Sequence, residues 1–162
     1  MNPGLVIEID LSRQQLELKQ GEQVLARYSV STARNGAGER AGSECTPRGW
    51  HEIYQKIGDG CMENTVFIAR RPTGEIYSPD LCARDSGRDW ILTRILWLKG
   101  LEPGRNLDGE VDTLARYIYI HGAPGEAPMG QPGSRGCIRM HNRDLIALFD
   151  RVSVGTRVLI RE

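Results

Sequence analysis

Neither sign of charge is in excess in this chain of 162 residues: Lys plus Arg and Asp plus Glu both count 21. That balance removes the overall field that would draw in nucleic acid or an anionic membrane surface. Long apolar runs are missing as well, and no window approaches the ~18 residues that span a bilayer as a helix. The first residues, MNPGLVIEIDLSRQQ, carry no basic leader followed by an apolar stretch. No secretory signal is read there, and a cytoplasmic address is expected, or a periplasmic one if a leader has been trimmed. Cys45, Cys61, Cys82 and Cys137 form no C-x-x-C pair and sit in unlike surroundings, which points to reduced thiols rather than a disulfide framework. No His or Cys pair has a recognised metal-site spacing, so zinc held by Cys137, His121 and His141 is the weaker reading of those residues. Internal repeats, heptad seams and low-complexity tracts are absent too.

What is present is enough chain for one domain with a real core, at 40% apolar content, and residues 1–162 read as a single unit. Alternating or continuous apolar runs mark strands at Leu5–Ile9, Gln15–Lys19 and Gln23–Thr32, joined by tight turns into a meander. Ala33–Ser43 reads as an exposed loop. Thr46-Pro47-Arg48-Gly49 then turns into a strand over Trp50–Tyr54, where His51 reads as a partly exposed strand histidine. Strands at Thr65–Ala69 and Ile91–Leu98, the second of them central, flank a long irregular excursion over Arg70–Asp89. Gly100–Asp112 is a polar loop. Near the C-terminus Asn142 suits an N-cap, and Leu145, Ile146, Leu148, Phe149 and Val152 recur at helical spacing, predicting one amphipathic helix over Arg143–Val152. Thr156–Ile160 closes the chain as a strand. The fold class is mostly β with one main short helix.

The chemistry concentrates between Tyr117 and Asn142, YIYIHGAPGEAPMGQPGSRGCIRMHN. Tyr117–Ile120 reads as a buried strand that delivers His121 at its end. A loop rich in Gly and Pro returns into a second strand, Ser134–Met140, whose start carries Cys137. A thiol becomes a strong nucleophile near neutral pH only beside a base or positive charge, and His121 is the better-placed base. His141 is too far along the strand from Cys137 and more naturally lines the start of the helix. Gly136 allows close backbone approach, and the Gly136 and Cys137 amides suit an oxyanion. Arg135 and Arg139, two residues either side of Cys137, would share its strand face and bind a substrate carboxylate while favouring the thiolate.

The run from His121-Gly122 through Ser134-Arg135-Gly136-Cys137-Ile138-Arg139-Met140 resembles the signature of the L,D-transpeptidase catalytic domain, the YkuD-like family. Asp10 to Gln14, Val30-Ser31-Thr32, Thr46 to Gly49, Ile91 to Leu98 and the closing Gly155-Thr156 strand match that family's elements in the same order, so the resemblance spans essentially the whole chain. It implies a β-sandwich-like catalytic domain and cysteine acyl transfer on peptidoglycan stem tetrapeptides or muropeptides, with no cofactor or metal. In that scheme Cys137 attacks the carbonyl between the diamino acid and the terminal D-alanine. His121 moves the proton, the Gly122 carbonyl orients the imidazole, and the Gly136 amide helps hold the oxyanion, while Arg139, Arg135 and Ser134 meet the substrate. The family usually has histidine where this chain has Arg135. That replacement favours an L,D-carboxypeptidase acting on free muropeptides over a periplasmic L,D-transpeptidase that forms cross-links. The third alternative is a peptide-binding module that keeps the fold without the reaction.

Overall fold

A computed structural model describes residues 4–162 of the chain. Leu5–Asp10 (β1), Gln15–Gln20 (β2) and Gln23–Ser31 (β3) form the expected antiparallel meander. Gly49–Ile57 (β4), Thr65–Ile68 (β5), Arg71–Ile76 (β6) and Ile91–Gly100 (β7) follow, with the short helix Pro79–Arg84 (α1) between β6 and β7. Tyr119–Gly122 (β8), Ile138–Met140 (β9), the helix Asn142–Arg151 (α2) and Arg157–Arg161 (β10) complete the chain. The strands join in the order β4-β10-β1-β2-β3-β9-β8-β7-β5-β6, and β4 also pairs with β7. The sheet therefore closes on itself through eight strands, with the β5–β6 hairpin appended to β7. Closure leaves no free edge along the eight-stranded wall.

The alternation that marks the strands also fills the interior. Ile7, Ile9, Leu16, Leu18, Val30, Ile53, Leu96 and Ile120 point inward and are fully buried. Helix α2 packs on β7 and β8 and contributes Leu145, Leu148 and Phe149 to the same core. Its C-terminal end is capped from β4, where Lys56 Nζ donates to the carbonyls of Phe149 and Val152 at 2.7 Å each. A cation there meets the negative end of the helix dipole.

Several expectations need correction. Strand β4 is turned with His51 inward and Trp50 and Tyr54 outward, because its inner positions meet the closed barrel rather than an open face. His51 is fully buried, its Nδ1 bonded to the Gly49 carbonyl and its Nε2 to the Thr113 hydroxyl. The stretch Arg70–Asp89 is not irregular: a hairpin strand and α1 occupy most of it, around a satellite core of Val66, Tyr77, Trp90 and Leu92. Asn142 does not cap α2; His141 takes the N-cap position, and the Asn142 side chain turns inward. The strand ahead of His121 starts at Tyr119 and includes His121, whereas Tyr117 stands exposed with φ 57°. The strand carrying Cys137 is also shorter than expected: it runs only over Ile138–Met140, with Ser134 in an isolated bridge to Ala33, because Gly136, at φ 131°, breaks the extended run between them.

Candidate active site

Parallel pairing of β8 with β9 sets Ile120 beside Ile138 and His121 beside Arg139. One step back, Cys137 lies next to Tyr119, whose amide donates to Cys137 Sγ at 3.3 Å. The thiol in turn donates to the Tyr117 carbonyl at 3.5 Å. Tyr117 holds a left-handed backbone conformation, costly for a bulky residue, and its carbonyl is one of the two groups that fix the sulfur. Cys137 and His121 both line one cavity of about 460 Å³, together with Arg70, Asp89, Arg116, Tyr119 and Arg135.

The imidazole is fixed from behind. His121 Nδ1 lies 2.6 Å from the Gly122 carbonyl. A carbonyl only accepts, so Nδ1 carries the proton and Nε2 keeps its lone pair. The Gly122 backbone is itself locked. Strand β7 bulges between Leu92 and Ile95, placing Leu92 opposite Gly122 and Ile95 opposite His121. At the bulge Thr93, with φ 77°, donates its hydroxyl to Asn142 Oδ1 at 2.7 Å. Asn142 Nδ2 donates to the Ala123 carbonyl and to Asn64 Oδ1. A side chain at position 122 would run into Asn142 Oδ1 and the Leu92 carbonyl, so only glycine fits.

The turn before the thiol is pinned by hydroxyls. Ser134 Oγ accepts from the Gly136 amide at 3.2 Å and donates to the Cys137 carbonyl at 2.6 Å. Thr46 Oγ1 donates to the Gly136 carbonyl at 2.9 Å and accepts from the Ala33 amide at 3.0 Å. The Thr46-Pro47 turn thus holds the loop that carries Cys137 from across the molecule. One expected role changes here: the Gly136 amide already has a partner in Ser134, so it does not stand free for an oxyanion. Ser134 lines the same cavity as Cys137 and His121, and its largely buried hydroxyl also ties the loop together.

The two flanking arginines separate. Arg135 is exposed and lines the cavity, as expected. Arg139 is half-buried, does not line that cavity, and donates through Nη2 to the Ser31 hydroxyl at 2.9 Å. It lies under Gly133 and props the loop. The expected shared face fails because the backbone between residues 135 and 139 is a turn followed by a strand. Arg70, Asp89 and Arg116 reach the cavity from distant segments, and no local pattern marks them. The His-Asn pair that follows Met140 is the one local signal that would have found Asn142.

The electrostatics describe a neutral resting pair. Burial pushes the Cys137 thiol up to about 12; Asp89 adds to this, while the Tyr119 amide and Arg116 oppose it. Burial also holds the His121 imidazole below its ordinary range, against the pull of the Gly122 carbonyl. A thiol and an uncharged imidazole therefore share the site near pH 7.

A half-buried thiol and a carbonyl-anchored imidazole thus face one cavity of a closed β scaffold. The chain belongs to the YkuD family of L,D-transpeptidase catalytic domains, whose family model matches residues 4–160. In Bacillus subtilis strain 168, YqjB, a candidate L,D-transpeptidase by name, is 48% identical over 135 residues, which cover 83% of this chain and 58% of that protein. YkuD of the same organism, named in the same way, is 54% identical over 95 residues, 58% of this chain and 47% of that protein. Among solved structures, L,D-transpeptidase 3 of Mycobacterium tuberculosis in complex with a faropenem-derived adduct superposes with a TM-score of 0.62 at 16% identity, covering 99% of this chain and 61% of that one. The L,D-transpeptidase of Xylanimonas cellulosilytica gives 0.57 at 22%, covering 99% and 62%. At such identities the likeness is one of fold. The chain spans about half to three-fifths of the length of these curated relatives.

Proposed function

We propose that the protein is a cysteine acyl-transfer enzyme that cleaves the bond between the diamino acid and the terminal D-alanine of peptidoglycan tetrapeptides, with water as the final acceptor. The observation that carries this reading is the β8–β9 pairing, which brings Cys137 and the carbonyl-anchored His121 to one cavity. Sγ attacks the carbonyl carbon while His121 Nε2 accepts the thiol proton, so neither group need be charged beforehand. The same proton passes to the leaving amine as the C–N bond breaks. D-alanine departs and a thioester remains on Cys137. Water, deprotonated by Nε2, then attacks the thioester, releasing the tripeptide and restoring the thiol. With the Gly136 amide engaged by Ser134, the Cys137 amide is the donor left for the oxyanion.

Hydrolysis rather than cross-linking is supported by Arg135. A permanent cation in place of the family's histidine can take a carboxylate but cannot shuttle the proton that an incoming ammonium must lose. Four free thiols fit a reducing compartment, so the reading places the reaction in the cytoplasm. The test is incubation with a disaccharide tetrapeptide, separating products by chromatography. Free D-alanine with stoichiometric tripeptide is expected. A cross-linked dimer as the main product would assign the protein to transpeptidation, and no reaction with a thiol that still alkylates would leave the binding-module reading.

A further inference from the structure

Arg116 is a cation of the cavity wall with no ion pair among the described residues. It is half-buried in the cavity wall, one residue before the strained Tyr117. Its guanidinium donates to the Cys45 carbonyl at 2.7 Å, to the Glu39 and Gly38 carbonyls at 3.2 and 3.3 Å, and to the Ser43 hydroxyl at 3.4 Å. All four acceptors are neutral. The nearby Glu39 carboxylate is taken by Arg48, and among the described residues no carboxylate pairs with Arg116. A half-buried charge with satisfied hydrogen bonds but no counter-ion is costly to keep, and its field remains available to whatever charge develops beside it. That charge has an evident origin. Arg116 Nη2 lies 3.8 Å from where a Cβ on Gly136 would stand, which places the guanidinium against the turn that carries Cys137.

We infer that Arg116 is the positioning residue whose unneutralised guanidinium stabilises the Cys137 thiolate as it forms, while its carbonyl contacts hold the segment 38–45 against the nucleophile's loop. This rests on the reading of Cys137 as nucleophile and replaces the pair Arg135 and Arg139 in the thiolate-stabilising role. The other charged or titratable groups lining the cavity are His121 and Tyr119 from β8, Tyr117 just ahead of it, Asp89 from ahead of β7, Arg70 from the β5–β6 turn and Arg135 from the Cys137 loop. Asp89 opposes the thiolate, whereas Arg116 favours it.

The experiment needs no substrate, so its failure is distinct from failure of the proposed reaction. The intact protein is alkylated with iodoacetamide, an uncharged reagent, between pH 7 and 9. The Cys137 peptide is followed by mass spectrometry, because Cys45, Cys61 and Cys82 are free thiols too. Arg116→Gln should slow Cys137 alkylation about tenfold across this range, the effect of roughly one pH unit on the thiolate fraction. Arg116→Lys, which keeps the charge, should stay within about threefold of wild type, since a nearby ammonium also favours the thiolate. A merely structural role predicts the opposite sign, since loosening the wall exposes the thiol and speeds its reaction. An unchanged or faster rate in Arg116→Gln, or Arg116→Lys as slow as Arg116→Gln, overturns the proposal. If Arg116→Gln does not fold, Asp89→Asn decides: removing the opposing charge should speed alkylation, and an unchanged or slower rate overturns it.

Discussion

His121 carries the proton traffic of the proposed reaction, and its surroundings fix when it can do so. Burial disfavours the imidazolium, so the free ring persists to lower pH than in an exposed histidine. Because Nε2 must be unprotonated to accept the thiol proton, kcat/KM should rise with pH through a value below about 6.5, the ordinary histidine figure, and be level at neutrality on its acid side. A pH–rate profile of D-alanine release measures this; an acid limb centred above pH 7 would mean that the imidazolium is favoured and the resting pair is not neutral. Both Cys137 and His121 were legible in the sequence, because a lone cysteine after glycine and a histidine at a strand end are local signals. Arg116 and Asp89 were not. They reach the cavity through tertiary placement, and neither periodicity nor spacing reports which polar side chains a closed sheet brings to one cavity. Arg139 was misplaced for a related reason: a positive-φ glycine changes the direction of side chains that an extended strand would have aligned.

At the scale of elements, the site is held by tethers between segments far apart in sequence. Thr46 illustrates this, since its buried hydroxyl joins the Ala33 amide to the Gly136 carbonyl, ahead of β4 and of β9 respectively. Thr46→Val preserves the side chain's shape but leaves both backbone groups without that partner. The expected cost is about 1–3 kcal/mol of stability per unsatisfied group, read by urea unfolding, together with lower activity as the nucleophile's loop loosens. Unfolding and activity both at wild-type level would show that the tether does not hold the site. The meander, the central β7 and α2 were readable because their apolar periodicity is strong. The α1 region was not, since its satellite core is drawn from scattered residues with no period between them. The inward turn of Asn142 is likewise a tertiary effect: Thr93, Asn64 and Ala123 compete successfully for a side chain that local rules would assign to a cap.

For the molecule as a whole, two buried histidines couple folding to pH with the same sign. Burial lowers His51 to about 4 and also lowers His121, whereas both titrate near 6.5 when unfolded. The unfolded chain therefore binds more protons below pH 6.5. The stability due to these histidines is fully present above that pH and is lost as pH falls through their lowered folded values, toward 4 in the case of His51. Urea unfolding at pH 7, 5.5 and 4.5 should show this fall, and His51→Gln should flatten part of it. Stability that is level or rising toward pH 4.5 would contradict the burial of both rings. The closure of the sheet through β4 and β7 was beyond the sequence's reach, because strand patterns give faces but not the order in which strands meet.

Acyl transfer through Cys137 is open to test by intact-mass spectrometry during turnover of a disaccharide tetrapeptide. The expected result is an adduct on the protein equal to the substrate less D-alanine, localised to the Cys137 peptide, and absent from Cys137→Ala together with D-alanine release. Release of D-alanine by Cys137→Ala at the wild-type rate would contradict it.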